Sequence, residues 1–225
     1  MASPSFRFKN LEDKFKSKRI EMVEKLTTMG ITDQNILNAV KILPRDIFID
    51  APLAGHAYDI ATLPIGHKQS LSSPYTICSM LQYANISKHD IALEVGTGTG
   101  YQAAILSLLV EKLYTVEMIS SLSNKARHNF NQLNLANIVS FLGDGAYIVK
   151  KYGPFDLIIV AAVAPELPTE LSAQLADNGR MIVPVEKDGQ GRIHVIRKKG
   201  GKFFVTVKEE CSFVPLVGKD GYRNK

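Results

Sequence analysis

The sequence predicts an α/β fold: a doubly wound, mostly parallel sheet with an N-terminal helical annex and a C-terminal antiparallel hairpin. From residue 91 onward, short β-rich apolar runs alternate with helical patterns, which is typical of right-handed βαβ units. The residues before this region have helical periodicity, and those after 190 alternate as strands do. With 225 residues, 45% hydrophobic and 22% charged, the chain is not disordered and has the length of a single domain.

The annex is predicted over residues 1–85 and packs with the core of residues 86–225 as one unit. Apolar spacing and capping residues predict three helices in it: from Ile20 to near Gly30, from Thr32 or Asp33 to before Pro44, and from about Pro74 to Tyr83. Residues 45–70 have no clear periodicity and are interrupted by prolines and glycines, so we expect loops there.

The core is predicted to contain five parallel strands with helices between them. The strands are Ile91–Val95, Leu113–Glu117, Ile138–Leu142, Leu157–Val160 and Met181–Val185. The helical patterns lie at 101–110, 119–133, 145–151 and 167–176. Apolar residues then alternate at 193 and 195 and at 203, 205 and 207, on either side of Gly200-Gly201, which predicts the terminal hairpin.

Charge and cysteine content exclude several classes of protein. The net charge of +5 is the sum of +3 over residues 1–25, −4 over 26–186 and +6 over 187–225. The basic residues do not alternate with aromatic ones along one stripe, so we expect no nucleic-acid partner. Two cysteines, Cys78 and Cys211, cannot form a disulfide framework, which favours a reducing, cytoplasmic setting.

No segment of the sequence has the pattern of a membrane or export signal. The longest uncharged apolar run is Leu157–Pro165, well short of the ~18 residues of a membrane helix, so no membrane association is expected. The first ten residues contain no apolar region typical of a signal peptide. The histidines lack metal-ligand spacing, so we expect no metal site.

The strongest local motif is Leu93-Glu94-Val95-Gly96-Thr97-Gly98-Thr99-Gly100, which leaves the first core strand and enters a helix. Glycines at every second position let the main chain turn sharply and approach a ligand. The simpler reading is a glycine-rich turn. The third glycine comes one residue early for the dinucleotide fingerprint GxGxxG, which disfavours an NAD oxidoreductase. The motif resembles the cofactor loop of Rossmann-like class I S-adenosylmethionine-dependent methyltransferases, where it wraps the amino-acid end of the cofactor.

Two further carboxylates follow neighbouring strands. Glu117 closes the second core strand, where a carboxylate accepts both ribose hydroxyls in doubly wound folds. Asp144, in Gly143-Asp144-Gly145, follows the third strand and is placed to accept an adenine amino group. Either one alone is more often a turn former or a helix cap, but both lie at the carboxyl edge of the predicted sheet, as the glycine loop does.

A second motif lies upstream, at Leu63-Pro64-Ile65-Gly66-His67-Lys68-Gln69-Ser70-Leu71-Ser72-Ser73-Pro74-Tyr75. Together with the glycine loop and Phe213-Val214-Pro215-Leu216, it resembles the protein-L-isoaspartate O-methyltransferases over residues 19–217. The resemblance implies transfer of a methyl group from S-adenosylmethionine to the free α-carboxylate of L-isoaspartyl residues in damaged proteins and peptides. The ester then cyclises to a succinimide, which can reopen to aspartate.

The resemblance also implies roles for individual residues. Ser72 matches the family's essential serine and would orient the substrate carboxylate, and main-chain groups near Val214 and Leu216 would hold the substrate peptide. The cofactor-binding residues would be Ser70, Leu71, Glu94, Gly96, Thr97, Gly98, Gly100, Glu117, Asp144 and Gly145.

Ser72 has a second interpretation, and the motif departs from the family pattern. Ser72-Ser73-Pro74 before an apolar run is a natural helix start, so Ser72 could be an N-cap. Lys68 stands where the family has glycine, which would strain the loop by ~1–3 kcal/mol if φ is positive there. Ser70 replaces threonine, and Ser73 replaces the commoner glutamine.

Three functions remain open from the sequence. The first is the isoaspartyl methyltransferase, expected as a monomer. The second is a methyltransferase for another carboxylate or a small molecule, with the same cofactor site. The third is an S-adenosylmethionine-binding module without turnover, which only the departures at Lys68 and Ser73 suggest.

Overall fold

The computed structural model of the protein describes residues 14–222. The expectation about the first ten residues, and the outer ends of the predicted annex and core, lie outside the described residues. Three helices form the annex: α1 (Lys16–Thr28), α2 (Gln34–Ile42) and α3 (Pro74–Ala84). The Asp33 side chain caps α2 by accepting from the N–H groups of Asn35 and Ile36.

The segment between α2 and α3 is more ordered than the sequence predicts. It contains two 3₁₀ turns, at Arg45–Phe48 and Ala51–His56, and a small antiparallel hairpin of β1 (Leu63–Gly66) and β2 (Gln69–Leu71). The segment is rich in loops, as predicted, but the sequence did not indicate the 3₁₀ turns or the hairpin. The hairpin has no Asn-Gly or Asp-Gly turn signal, which is why the pattern did not indicate it.

The core is a sheet of seven strands. They are β3 (Ile91–Val95), β4 (Lys112–Glu117), β5 (Ile138–Leu142), β6 (Phe155–Val160), β7 (Leu175–Lys187), β8 (Gln190–Lys199) and β9 (Lys202–Cys211). Their spatial order is β5-β4-β3-β6-β7-β8-β9, parallel through β7 and antiparallel from there. The α/β fold with a mostly parallel sheet and antiparallel C-terminal strands is confirmed.

The core helices are shorter than the sequence patterns suggest. They are α4 (Tyr101–Ser107), α5 (Ser120–Gln132) and α6 (Thr169–Ala173). The helix predicted over 145–151 is wrong: Asp144 accepts three N–H groups of residues 146–148, which makes a turn, and only a 3₁₀ turn at Lys150–Tyr152 follows. The helix predicted over 167–176 is confined to α6 because Pro168 precedes it and β7 begins at Leu175.

The sheet separates two apolar clusters. One face packs against α1 to α5 in a continuous cluster that runs from Met22 in α1 to Val195 in β8. The opposite face has a smaller cluster, covered by α6 and by the aromatic side chains of Tyr114, Phe141 and Tyr152. The annex helices therefore share the larger core with the sheet. The division of the chain at residue 85 stays a prediction.

A buried ion pair fastens α3 to the sheet. Arg180 of β7 donates from Nη2 to Asp90 Oδ2 at 2.5 Å and from Nη1 to Oδ1 at 2.9 Å. Its Nε donates to the carbonyl of Ala84, the last residue of α3, at 2.6 Å.

The longest helices among residues 14–222 have 13 residues, and no helix there has the length and apolar character that a membrane span requires.

Candidate active site

A cleft of about 190 Å³ lies at the carboxyl ends of the parallel strands. The order of strands reverses between β3 and β6, and open parallel sheets bind ligands at such a switch point. Its walls are the glycine loop after β3, the residues that follow β4, β5 and β6, the β1–β2 hairpin, and residues 214–217. The cleft therefore brings together the motifs that the sequence places far apart.

The glycine loop turns with positive φ at each of its three glycines: 93° at Gly96, 57° at Gly98 and 98° at Gly100. Gly96 and Gly98 line the cleft, whereas Gly100 lies behind it, against α5. A Cβ on Gly100 would lie 2.5 Å from Cε1 of Phe130, so only glycine fits there. The loop glycines thus serve two purposes: an open main chain towards the cleft and close packing behind it.

Glu117 holds the glycine loop from the end of the neighbouring strand. Its Oε2 accepts the N–H of Gly98 at 2.8 Å, and its Oε1 accepts the N–H of Ile119 at 2.9 Å. The side chain is buried and lines the cleft. Each carboxylate oxygen retains a lone pair that can accept from a ligand, as a ribose-binding carboxylate must.

Glu94 lies beneath the glycine loop and does not line the cleft. Its carboxyl is fully buried and accepts from Thr115 Oγ1 at 2.6 Å and from Gln102 Nε2 at 3.1 Å. The hydroxyl of Thr97 joins the same network, 2.6 Å from that of Thr115. Burial raises the pKa of Glu94 to about 8, and the two hydrogen bonds oppose this shift.

Asp144 supports the far end of the cleft. Its two carboxylate oxygens accept main-chain N–H groups, from Ala146 at 2.8 Å and from Lys219 at 2.9 Å. The adjoining Gly145 lines the cleft, and a Cβ there would lie 2.7 Å from a methyl of Val95. The carboxylate therefore joins the C-terminal segment to the sheet, and its assignment to an adenine amino group stays a prediction.

The β1–β2 hairpin covers the glycine loop. Ile65 of β1 packs so closely on Gly98 that a Cβ on that glycine would lie 3.2 Å from Ile65 Cδ1. His67 and Lys68 form the turn, with φ of 52° and 57°, which is the conformation of a type I′ turn. His67 shares a hydrogen bond of 2.7 Å with Ser121 of α5. Lys68 thus occupies the positive φ that its family position suggests.

Ser72 and Ser73 have different roles in the structure. The N-cap of α3 is Ser73, whose Oγ accepts the N–H of Thr76 at 3.1 Å. The Ser72 hydroxyl therefore does not cap the helix, and the N-cap interpretation of Ser72 was wrong. Ser72 is half-buried beside the hairpin, and its carbonyl accepts from Arg45 Nη2 at 2.9 Å. Of the neighbouring hairpin residues, Ser70 lines the cleft, whereas Leu71 is buried in the core.

Residues 214–217 form the last wall of the cleft, and Val214 and Leu216 are both part of it. The carbonyl of Val214 accepts from the N–H of Val163 at 2.9 Å, and the N–H of Leu216 donates to the carbonyl of Val163 at 2.7 Å. The Leu216 carbonyl in turn accepts from Tyr222. These three main-chain groups already have partners within the chain, and the assignment of Val214 and Leu216 to the substrate peptide stays a prediction.

The sequence reasoning missed several residues that line the cleft. They are Gln69, Met118, Ile119, Leu122, Ala161 and Ala162. Most follow β4 or β6 directly, so position after a strand end was the signal that would have found them. Among residues 14–222, no group of three or more His, Cys, Asp or Glu side chains is arranged to hold a metal ion.

The cleft has the form of a site for a ligand with both polar and apolar parts. Glu117 offers acceptors near the glycine loop, and the open main chain of Gly96 and Gly98 allows close approach. Met118, 47% exposed, and Leu122 supply an apolar surface beside them. Amphiphilic ligands of this kind are typical of the switch point in doubly wound sheets.

Comparison with known proteins agrees with this geometry. Residues 17–221 match the family described as protein-L-isoaspartate(D-aspartate) O-methyltransferase. The chain is 43% identical over 198 residues to the protein-L-isoaspartate O-methyltransferase of Shewanella amazonensis, covering 88% of this chain and 93% of the relative. It is 40% identical over 205 residues to that of Koribacter versatilis, covering 91% and 92%.

Solved structures give the same likeness. A protein-L-isoaspartate O-methyltransferase superposes with a TM-score of 0.81 at 26% identity, covering 90% of this chain and 67% of that one. A candidate protein-L-isoaspartate O-methyltransferase from Plasmodium falciparum, solved in complex with S-adenosyl-L-homocysteine, has a TM-score of 0.78 at 24% identity, covering 87% and 96%. The second comparison speaks for the fold alone.

Proposed function

We propose that this chain, which belongs to the protein-L-isoaspartate O-methyltransferase family, transfers a methyl group from S-adenosylmethionine to the free α-carboxylate of L-isoaspartyl residues in damaged proteins. The observation that carries the proposal is the close packing of the β1–β2 hairpin on the glycine loop, with Ile65 against Gly98. That contact sets the segment leading to Ser72 beside the cleft in which a cofactor fits.

The residues of the cleft fit the cofactor. S-adenosylmethionine, when bound, supplies a methyl group activated by a positively charged sulfonium. Gly96 and Gly98 would admit its amino-acid end, Glu117 would accept from its ribose hydroxyls, and Gly145 would leave room for its base. The cation suits a stretch of chain with net charge −4.

Methyl transfer requires the side chains mainly to position the reactants. The substrate carboxylate is ionised at neutral pH, so no general base is needed. Its oxygen forms the new bond to the methyl carbon as the carbon–sulfur bond breaks, giving a methyl ester and S-adenosylhomocysteine without proton transfer. The chain must align these atoms and exclude water. In this assignment, Ser72 donates its hydroxyl hydrogen to the substrate carboxylate and orients it.

Most of the other predicted site residues support the cleft from behind. Glu94 and Thr97 form the hydrogen-bonded layer under the glycine loop, and Gly100 lets α4 start against α5. Leu71 anchors the hairpin in the core, and Ser70 lines the cleft beside it. Asp144 ties Gly145 to the C-terminal segment.

The substrate peptide would lie along the outer edge of residues 213–217. Because Val214 and Leu216 direct main-chain groups to Val163, their neighbours Phe213 and Pro215 direct theirs to the opposite side in an extended segment. Proline offers only a carbonyl there, so the substrate backbone would supply the N–H. This assignment moves the predicted contact by one residue along the chain.

The test is methyl incorporation into matched peptides. The protein is incubated with labelled S-adenosylmethionine and two peptides that differ only in isoaspartate or aspartate at one position. Transfer to the isoaspartyl peptide alone is the expected result. Transfer to neither peptide but to a small organic acid would favour the second function, and cofactor binding without transfer to any acceptor would favour the binding module.

We also propose that the enzyme works as a cytoplasmic monomer, without a nucleic-acid or membrane partner. The two cysteines support a reducing compartment, since Cys78 is free and fully buried and Cys211 is free and half-buried. Burial raises the pKa of the Cys78 thiol to about 12, which keeps it unreactive. Light scattering should give a mass near 24.8 kDa at micromolar concentration, and twice that mass would contradict the proposal.

A further inference from the structure

A buried arginine contacts the main chain of the proposed catalytic serine. Arg45 is 0% exposed, and its Nη2 donates to the Ser72 carbonyl at 2.9 Å. Its other two guanidinium nitrogens, Nε and Nη1, have no hydrogen-bond partner. The other strongly buried arginine near α3, Arg180, has a carboxylate partner in Asp90 and three carbonyl acceptors. Arg45 therefore differs from an ordinary structural arginine.

The same guanidinium lies on the residue that follows the glycine loop. Arg45 Cζ is 4.7 Å from the ring centroid of Tyr101, within the range of a cation–π contact. Tyr101 is the first residue of α4, directly after Gly100, and its ring meets Phe48 edge-on at 5.3 Å. Arg45 thus joins the segment that carries Ser72 to the start of the helix that the glycine loop enters.

This arrangement is costly for stability. The guanidinium is fully buried, and this loss of contact with water lowers the pKa of Arg45, while the neighbouring Tyr101 opposes the shift. Apolar side chains of similar volume often replace buried charges without loss of stability. A charged group kept at such a place calls for a reason other than folding.

We propose that Arg45 is a positioning residue for the methyl transfer: it fixes the Ser72 peptide against the start of α4, so that the serine hydroxyl keeps its place relative to the cofactor. The inference rests on the proposed function of Ser72. Misplacement of an orienting group by about 1 Å can cost about 100-fold in rate. A small displacement of Ser72 on loss of Arg45 would therefore be enough to slow the transfer.

The main test compares Arg45→Met with Arg180→Met. For Arg45→Met we expect kcat to fall 10- to 100-fold, the dissociation constant for S-adenosylhomocysteine to change less than twofold, and the urea midpoint to stay equal or rise. For Arg180→Met we expect a lower urea midpoint and unchanged kcat per folded molecule. A kcat within twofold of wild type for Arg45→Met overturns the proposal. So does a parallel fall of cofactor affinity and midpoint.

A double-mutant cycle tests whether Arg45 acts through Ser72. In a Ser72→Ala background, Arg45→Met should reduce kcat by less than threefold, because the hydroxyl it positions is gone. Losses that multiply would overturn the proposal. If Arg45→Met does not fold, Arg45→Lys takes its place: it keeps the charge and one donor to the Ser72 carbonyl but loses the planar stacking, so about a fivefold loss of kcat is expected.

The outcomes separate this inference from the proposed function. If the wild-type protein transfers no methyl to the isoaspartyl peptide, the proposed function fails. If it does, and Ser72→Ala is fully active, the function stands while the role of Arg45 is overturned, since the serine it would position has none.

Discussion

The glycine loop and the β1–β2 hairpin both require a left-handed main chain, and they meet this requirement with different residues. In the loop, Gly96, Gly98 and Gly100 supply it, whereas in the hairpin turn it is adopted by His67 and Lys68. The difference is one of space. A Cβ at Gly100 would collide with Phe130, but the hairpin turn is exposed, and a Cβ at the adjacent Gly66 would meet nothing within 4 Å. Residues with a Cβ can adopt positive φ in the exposed turn at a cost in strain, whereas at Gly100 a Cβ is also excluded by its neighbour.

The two regions also differ in what they should control. The loop and Glu117 line the cleft, and the hairpin leads to the serine assigned to the substrate. If this division is right, changes in the loop should affect cofactor affinity or folding, and changes at the serine should affect only the rate of transfer.

The largest expected effect is that of Ser72→Ala. Because Ser73, not Ser72, caps α3, removal of the Ser72 hydroxyl should leave the fold intact. We expect kcat to fall by at least ~100-fold, in the range seen when one orienting donor is lost, with cofactor affinity changed less than twofold. Steady-state kinetics and calorimetric titration measure the two quantities. Ser73→Ala is the matched control: it should lower the free energy of unfolding by ~1 kcal/mol and keep kcat.

The next effect is steric and concerns Gly100→Ala. The new methyl would lie 2.5 Å from the Phe130 ring at a φ of 98°, so α5 must shift. We expect the free energy of unfolding to drop by ~3 kcal/mol in urea denaturation, combining overpacking with left-handed strain. Gly66 in the hairpin has a φ of 87°, but a Cβ there would meet open space. Gly66→Ala should therefore lower the free energy of unfolding by only ~1 kcal/mol. Equal losses would refute the explanation by space.

Glu117→Gln should weaken cofactor binding, because Glu117 holds the glycine loop that lines the cleft. The amide would set an NH₂ group against the N–H of Gly98 or Ile119, which now donate to the carboxylate. Loss of charge-assisted bonds to a ribose is worth ~2 kcal/mol, so we expect the cofactor dissociation constant to rise about 30-fold. Glu111→Gln, at an exposed position before β4, should leave it unchanged. Unaltered affinity in Glu117→Gln would remove the residue from the cofactor site.

Glu94 makes the support beneath the glycine loop dependent on pH. Its pKa is raised to about 8 in the folded protein, whereas it ionises at its ordinary, much lower pKa when unfolded. Its contribution to stability is therefore full at acid pH and is lost as pH rises to about 8, at up to ~1.4 kcal/mol for each pH unit. The free energy of unfolding of Glu94→Gln, measured from pH 6 to 9, should fall less steeply than that of wild type. Identical slopes would contradict the assignment.

The smallest effect is expected at Lys68 in the hairpin turn. Lys68→Gly relieves a φ of 57° at an exposed position and should raise the free energy of unfolding by ~0.5–1 kcal/mol. Lys68→Ala keeps the strain and should change stability by less than half as much. Thermal denaturation resolves the two, and a destabilised glycine variant would show that the lysine side chain contributes contacts of its own.

The sequence was most informative for short apolar runs that are rich in β-formers. The predicted strands Ile91–Val95 and Ile138–Leu142 match β3 and β5 at both ends. β7 was predicted only over Met181–Val185, because the polar residues 176–180 hide its first part, which pairs with β6 across a register shift. Helices were overestimated where side chains took over main-chain hydrogen bonds, as Asp144 does.

For the site, the sequence could identify motifs, but it could not assign different roles to adjacent residues within a motif. Ser72 and Ser73 carry the same hydroxyl, and only the geometry of α3 shows which one caps it. Arg45 lies in the segment where the sequence predicts loops, and nothing in the pattern indicated a buried, partly unpartnered guanidinium, since arginine is mostly exposed in proteins. Such features depend on contacts between distant segments, such as Arg45 with Tyr101.

The bonds of Asp144 to Lys219 and of Val163 to Val214 and Leu216 have a consequence for the order of events during synthesis. Asp144 leaves the ribosome 75 residues before Lys219, so strands β3 to β6 can assemble while one wall of the cleft is still untranslated. A nascent chain therefore holds a sheet with an open switch point and a carboxylate at residue 144 that still lacks one of its two N–H donors. Cofactor binding can stabilise the folded chain only after these last contacts have formed. Formation of the cleft is therefore a late step that depends on long-range contacts.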